Sequence, residues 1–304
     1  MYMDLVKTLF VWAPFYPQIR NFQHLIEAAI AVVSNGYPAR DLIVIGVTGT
    51  DGKTTATNLI GSILNEAGLK TAVISTINAS IGGKTIDTGF HVTTPNARDL
   101  QRLLRKITNS GIKYVVIETS SHALDQHRVF GCNFKYGVLT NITHDHLDYH
   151  KTWENYRNAK AKLFRNVKVA VLNKDDASFE FIANVARNAK VISYSLKQHA
   201  MMVARNIKID MSGTSSVIRD EIGEIEIVTP LLGDFNVSNI LAATGVARDL
   251  GVSLEVIQKA LSKFNRLSGR LEKVKNNWLN LSRIHRKMII SKRKGELVLS
   301  SLAN

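Results

Sequence analysis

The chain has 304 residues, 45% of them hydrophobic and 21% charged, enough to build one large domain or two modest ones around a real core. Its single cysteine, Cys132, excludes an internal disulfide framework and fits a reducing cytosol, so a cytoplasmic location is expected. The net charge of +14 is unevenly spread: from Lys275 onward come Lys275, Arg283, Arg286, Lys287, Lys292, Arg293 and Lys294 against the single acid Glu296. No aromatic–basic interleaving of the kind that stacks bases accompanies this excess, so nucleic acid is not expected as a partner.

Residues 1–40 read as a helical lead-in. Phe22, Leu25, Ile26, Ala29, Ile30 and Val33 recur at helical spacing, and Asn35-Gly36-Tyr37-Pro38 closes the helix. Its apolar face is expected to pack on the domain that follows. Glu27 interrupts the apolar run Leu25 to Val33, and no run is long enough to span a bilayer. Met1 to Pro17 lacks a basic head and a small-residue cleavage site, so it does not read as a signal peptide.

From Asp41 the pattern alternates: strand 42–47, helix 54–66, strand 70–77, helix 97–109, strand 113–119, strand 135–141, helix 152–164, strand 168–172, helix 176–187 and strand 190–194. Strands alternating with helices predict an α/β fold with a mostly parallel sheet flanked by helices. Ile81-Gly82-Gly83-Lys84-Thr85 reads as a tight hairpin. Residues 201–229 alternate with Ser-Gly and Gly-Glu turns and predict a small antiparallel appendage. Helices return over 235–250 and 253–263, with Ser253 placed to cap the second. Beyond Gly269-Arg270-Leu271-Glu272 the period is lost, and residues 273–304 read as a poorly ordered basic tail.

The chemistry starts at Val44-Ile45-Gly46-Val47-Thr48-Gly49-Thr50-Asp51-Gly52-Lys53-Thr54-Thr55. A buried strand breaking into a glycine turn and then a helix makes a phosphate cradle, where backbone N–H groups and the positive helix end meet one anion. Gly49 and Gly52 allow the tight path, Lys53 offers a charge to the outer phosphates, and the Thr54 hydroxyl is placed for Mg²⁺. The strict G-x-x-x-x-G-K-[ST] spacing is missed by one residue, because position 47 is Val and the first glycine is Gly46. A nucleotide triphosphate site is the reading.

A second strand, Tyr114 to Thr119, ends in Glu118 and runs into Ser120-Ser121-His122. That puts a carboxylate at the C-terminal sheet edge, where α/β ligand crevices lie; Glu118 is either a metal ligand or an acid capping the next helix. Ser120 and Ser121 read as caps, His122 as a packed histidine. Thr140 to His150 holds three histidines and two aspartates in seven residues, but neither the spacing nor the absence of nearby thiolates fits zinc. One His and one Asp presented to a Mg²⁺–phosphate assembly suit it better. Lys160, on a helix, reads from the residues alone as a solvated charge.

In order, the chain contains V-T-G-T-D-G-K-T-T, T-T-P, E-T-S-S-H, Q-H-R-V, T-N-I-T-H-D-H-L-D-Y-H, Y-R-N-A-K, L-L-G-D-F-N-V-S-N and G-R-L-E. This set, across residues 41–272, closely resembles the Mur ligases, specifically the MurE branch of UDP-N-acetylmuramoyl-peptide synthetases, in which the offset P-loop is the normal form. The resemblance implies a central ATP-binding domain in an acid–amino-acid ligase of peptidoglycan precursor synthesis. ATP would phosphorylate the carboxylate of a UDP-MurNAc-peptide, and an amino acid's amine would attack the acyl phosphate. By resemblance, residues 49–55 (Gly49, Thr50, Asp51, Gly52, Lys53, Thr54 and Thr55) bind ATP, with Asn236, Asn239 and Arg270. Thr54 and Glu118 hold one Mg²⁺; His146 and a carbamylated Lys160 serve the second. Thr93, Thr94, Ser120, Gln126 and Arg128 match positions that bind the UDP-MurNAc-peptide.

The family pattern has a full UDP-recognising domain before the P-loop and a third domain, opening with D-Y-A-H-T-P, after G-R-L-E. Here about forty residues stand in the first place and a basic tail in the second, so the sequence reads as a ligase core with incomplete turnover. The alternative is a nucleotide-binding module that requires a partner. A folylpolyglutamate-type ligase fits less well, because T-T-P, E-T-S-S-H and H-D-H-L-D-Y-H occur together; a plain P-loop ATPase or kinase leaves those blocks unexplained.

Overall fold

The structure is a computed structural model. It describes residues 16–76, 79–81, 84–86, 93–210, 212–264, 288–293 and 296–301. Two compact units divide at Phe264/Asn265. The second contains an antiparallel pair, which the sequence reading did not anticipate, at Met288–Arg293 and Glu296–Ser301. All else concerns the first unit.

Its elements, in chain order, are α1 (Tyr16–Ser34), β1 (Ile43–Thr48), α2 (Lys53–Glu66), β2 (Thr71–Ile74), β3 (Ala79–Ile81), β4 (Lys84–Ile86), α3 (Ala97–Asn109) and β5 (Tyr114–Glu118). There follow α4 (Ser121–Asp125), β6 (Tyr136–Leu139), α5 (Leu147–His150), α6 (Trp153–Ala161), β7 (Val169–Asn173), α7 (Phe179–Val185) and β8 (Lys190–Ser195). Last come β9 (Met202–Ile209), β10 (Thr214–Arg219), β11 (Glu224–Thr229), α8 (Asp234–Asp249) and α9 (Leu254–Lys263). One sheet runs β11-β10-β9-β8-β7-β6-β1-β5-β2-β3-β4. From β2 through β9 neighbouring strands are parallel, and both ends finish in antiparallel pairs. The expected antiparallel appendage is therefore an extension of the main sheet, because β9 pairs parallel to β8 through Tyr194↔Met202 and Ser195↔Val203.

The central strands are buried on both faces, which explains their near-continuous apolar runs. Val44, Val115 and Ile117 join Leu100, Leu104 and Ile107 in one core. Those last three lie at helical spacing on α3, whose start is fixed by Asn96 accepting the Asp99 N–H at 3.0 Å. Farther along the sheet, Leu139, Ala170 and Leu172 pack with Tyr156, Phe164 and Ile182. On α8 every residue from Val237 to Ala247 except Ser238 is buried, and Gly245 allows close approach to Val171. Ser253 caps α9 as expected, accepting the Val256 N–H.

The lead-in helix is longer than its sequence pattern and buries the other face. Ala28, Ala31 and Val32 are the buried residues, whereas Phe22, Ile26, Ile30 and Val33, expected inside, are exposed. Small side chains let α1 settle closely; the bulky stripe would hold it farther off. Among the described residues, no helix is long and apolar enough to cross a membrane.

Candidate active site

Strands β5 and β6 flank β1, so the C-terminal ends of these three strands form the crevice where the chain's direction across the sheet reverses. At this edge β1 gives way to Gly49-Thr50-Asp51-Gly52, and α2 starts at Lys53. Gly52 has φ 79°, and a Cβ there would strike the Asn239 amide of α8. A Cβ on Gly49 would strike the Thr140 hydroxyl at the end of β6. The loop is thus pressed between two neighbours, with the positive end of α2 at its exit.

Its conformation is held by side chains from other strands. Asn141 Oδ1 accepts the N–H groups of Thr50 (3.2 Å) and Asp51 (2.9 Å), and its main-chain carbonyl accepts Thr50 N–H at 2.8 Å. Thr140 Oγ1 donates to the Asp51 carbonyl at 2.6 Å. Asn173 Nδ2, at the end of β7, donates to the Thr140 carbonyl at 2.8 Å, and Asp176 accepts the Ile142 N–H at 2.7 Å. None of Thr140, Asn141, Asn173 or Asp176 was singled out from the sequence. The first two stand inside the T-N-I-T-H block, whose position just after a strand was the available signal. Lys53 curls back, its Nζ donating to the carbonyls of Gly49 (3.0 Å) and Thr50 (2.7 Å). Substituting Gly52 with alanine is expected to cost about 1–3 kcal/mol of stability through its positive φ and the clash with Asn239. Thermal unfolding and titration with an ATP analogue should both register it.

Glu118 is buried at the end of β5, and it is not a helix cap. Its Oε1 accepts the Thr54 hydroxyl at 2.9 Å and its Oε2 the Thr76 N–H at 2.9 Å. The cap of α4 is Ser120, which accepts the Ala123 N–H. A hydroxyl and a carboxylate side by side are hard oxygen donors, suited to Mg²⁺ completed by phosphate and water. Among the described residues there is no group of three or more His, Cys, Asp or Glu arranged to hold a metal.

Lys160 overturns the reading of it as a solvated charge. It is 1% exposed, its Nζ donates to the Gly49 carbonyl at 2.5 Å, and it lies 4.4 Å from the centre of the Tyr156 ring. Helix α6 turns this position inward, between the sheet and the P-loop. Burial, and next the charge of Lys53, hold its amine well below the ordinary lysine range. The Tyr156 hydroxyl meets Thr50 Oγ1 at 3.1 Å, and burial pushes that phenol up to about 12.

His146 stands at the N-terminal end of α5 with φ 51° and a half-exposed ring. The ring is edge-on to His122, 4.9 Å between centroids, and 6.1 Å from Tyr156. It makes no hydrogen bond to Glu118 or Lys160 among the described residues. His150 is buried against Ser121 Oγ at 3.0 Å, and burial, then His122, push it down to about 4, so it is neutral at pH 7. His122 is a packed histidine, as expected.

A hydrogen-bonded row leads away from the P-loop. Thr94 Oγ1 donates to the Glu118 carbonyl (2.9 Å) and accepts the Ser120 N–H (3.1 Å). Arg128 Nη1 donates to the Thr94 carbonyl (3.2 Å), and its Nε and Nη2 grip Gln126 Oε1 at 2.9 and 2.6 Å. Gln126 Nε2 donates to the Tyr149 hydroxyl (3.2 Å), which donates to Asp125 (3.0 Å). Thr94, Ser120, Gln126 and Arg128 are therefore gathered on one line, with Thr93 half-buried beside them. Asn236 and Asn239 are both buried on α8, and Asn239 lies against Gly52. Thr55 is buried in the first turn of α2. Arg270 lies outside the described residues.

A P-loop on the central strand, a carboxylate on its neighbour and a mostly parallel sheet define a nucleotide-binding α/β domain. Residues 47–247 match the Mur ligase middle domain, and the chain belongs to the Mur ligase family. It is 41% identical over 262 residues to a UDP-N-acetylmuramoyl-L-alanyl-D-glutamate--2,6-diaminopimelate ligase of Geobacter metallireducens, covering 83% of this chain and 51% of that one. The ligase of the same name from Geobacillus kaustophilus is 38% identical over 256 residues, covering 81% and 52%. A solved structure of a ligase of this name superposes with a TM-score of 0.71 at 30% identity, over 86% of this chain and 50% of the other. The chain spans about half the length of the curated relatives it matches.

Proposed function

We propose that this chain is the ATP-binding core of a cytoplasmic, peptidoglycan-precursor ligase that joins an amino acid to a UDP-MurNAc-peptide through an acyl phosphate. The observation that carries the reading is the Thr54–Glu118 pair at the mouth of a P-loop whose Gly49 carbonyl is held by a buried lysine. Lys53 exchanges the Gly49 and Thr50 carbonyls for the outer phosphates of ATP. Thr54 and Glu118 hold Mg²⁺, which when bound neutralises charge on the phosphates. Gly49 to Thr55, with Asn236, Asn239 and Arg270, seat the nucleotide.

Thr93, Thr94, Ser120, Gln126 and Arg128 hold the UDP-MurNAc-peptide so that its carboxylate meets the γ-phosphorus. A carboxylate oxygen bonds to phosphorus as the bond to the ADP oxygen breaks. The amino acid's amine then attacks the acyl carbon, forming the amide, losing a proton and expelling phosphate. Burial of Lys160 favours its uncharged amine, which adds to the carbon of CO₂ and loses a proton to give a carbamate. Its carbamate is an anion on the side of the site where His146 stands, and the two serve a second Mg²⁺.

A second reading follows from the span of the match, which is to the family's middle domain. In it the chain binds ATP and UDP-MurNAc-peptide but does not turn over alone. The test is ADP release by the purified chain with ATP, Mg²⁺, UDP-MurNAc-L-Ala-D-Glu and 2,6-diaminopimelate or lysine. Release dependent on both acceptor and amine supports the ligase. Calorimetric binding of ATP analogue and acceptor without release supports the module; binding of neither removes both readings.

A further inference from the structure

A cleft of about 740 Å³ opens where the hydrogen-bonded row from the P-loop ends, and one of its walls is α1. Helix α1 contributes Arg20, Asn21 and His24; the opposite side contributes Gln126, Lys151 and Lys162. Residues 16–34 lie outside the segment that matches the family, so nothing in that match assigns them a role.

The packing fixes this wall accurately. Val32 of α1 lies against Gly131, where φ is +77° and an added Cβ would strike the valine side chain. Gly131, three residues beyond Arg128, therefore lies directly on α1. The charges do not cancel. Among the described residues the only acid lining the cleft is Asp125, already paired with Lys162 at 2.7 Å. Among the described residues neither Arg20 nor Arg128 pairs with a carboxylate. Arg20 and Gln126 line the same cleft, and Gln126 Oε1 is the atom that Arg128 grips. Arg20, Lys151 and Lys162 all line this open cleft, and such a set of cations favours an anion there.

We propose that Arg20 of α1 is a positioning residue which, with Lys151 and the Gln126–Arg128 stretch, binds the diphosphate of the UDP-linked acceptor. This rests on the acceptor proposed above. The reacting carboxylate must lie near Lys53 and Glu118, and the row Glu118–Thr94–Arg128–Gln126 leads from there to the cleft. An anion at the far end of the acceptor is its diphosphate, whose several charges match several cations better than one carboxylate does.

The test is titration of the full chain, R20A, R20K and R128A with UDP-MurNAc-L-Ala-D-Glu and with MurNAc-L-Ala-D-Glu, which has no diphosphate. Arg20 is exposed, so its substitution leaves the fold intact, and thermal unfolding checks this. R20A should weaken the UDP-linked compound about tenfold and the UDP-free compound less than about twofold. R20K should recover part of the loss, and the salt dependence of UDP-linked binding should be shallower in R20A. Equal losses for the two compounds, or no loss for either, would overturn the role of Arg20 while leaving the acceptor reading standing. Failure of the unsubstituted chain to bind either compound would remove the acceptor reading, and this proposal with it.

Discussion

Replacing Lys53 with alanine should lower affinity for an ATP analogue with Mg²⁺ by at least about 100-fold, the loss expected for a charge-assisted contact to phosphate in a partly enclosed site. In the structure Lys53 Nζ is shared between two carbonyls of its own loop, so the residue is already over the cradle and needs only a short change of partner. Arginine is not a conservative replacement, because a planar fork cannot occupy the arc that the ammonium makes over Gly49 and Thr50. The alanine variant also leaves those carbonyls without this donor. Thermal unfolding should accompany the calorimetry to separate a loosened loop from lost phosphate contact. Unchanged nucleotide affinity in a folded Lys53→Ala protein would remove the P-loop assignment.

Lys160 carries the second large effect. Lys160→Ala should reduce acceptor-dependent ADP release at least about 100-fold, and added formate or acetate should restore part of it by supplying the anion that the carbamate provides. No rescue would leave the carbamate role unsupported. Stability should move the other way. The folded chain holds this amine below the ordinary lysine range, so the unfolded chain binds more protons between the depressed value and about 10.4. Stability from this group is complete above about pH 10.4 and is lost as pH falls toward the folded value. Lys160→Met, which fills similar volume and has no proton to give up on folding, should therefore melt higher than the uncarbamylated parent in CO₂-free buffer at pH 7, with the gap narrowing as pH rises. Identical melting of the two proteins across that range would show that burial of this amine carries no cost.

The difference between what the sequence disclosed and what it concealed is physical. The P-loop and Glu118 were legible because each sits where a strand ends, and strand ends announce themselves through an apolar run that stops; Thr94, Gln126 and Arg128 were marked only by the resemblance to a family. Lys160 was concealed because a helix lysine looks the same whether it faces water or the sheet; only the resemblance to a family marked it. Asn141 was concealed for a related reason. Its work is to accept two N–H groups from another loop, and no periodicity records a long-range hydrogen bond. On α1 the pattern was read correctly as a helix and wrongly as to its face. Two apolar stripes were available, and packing chose the one with alanines.

The P-loop is braced by partners remote in the chain. Thr50 meets Asn141 across 91 residues, and Gly49 meets Lys160 across 111. Closing such spans costs chain entropy before any contact rewards it, so the phosphate cradle cannot form as a local turn ahead of its sheet. It is completed only when the segment from β1 to α6 has assembled. Nucleotide binding then draws the equilibrium toward that assembled segment by mass action, and protection of residues 49–160 from amide exchange becomes a readout of occupancy as much as of folding.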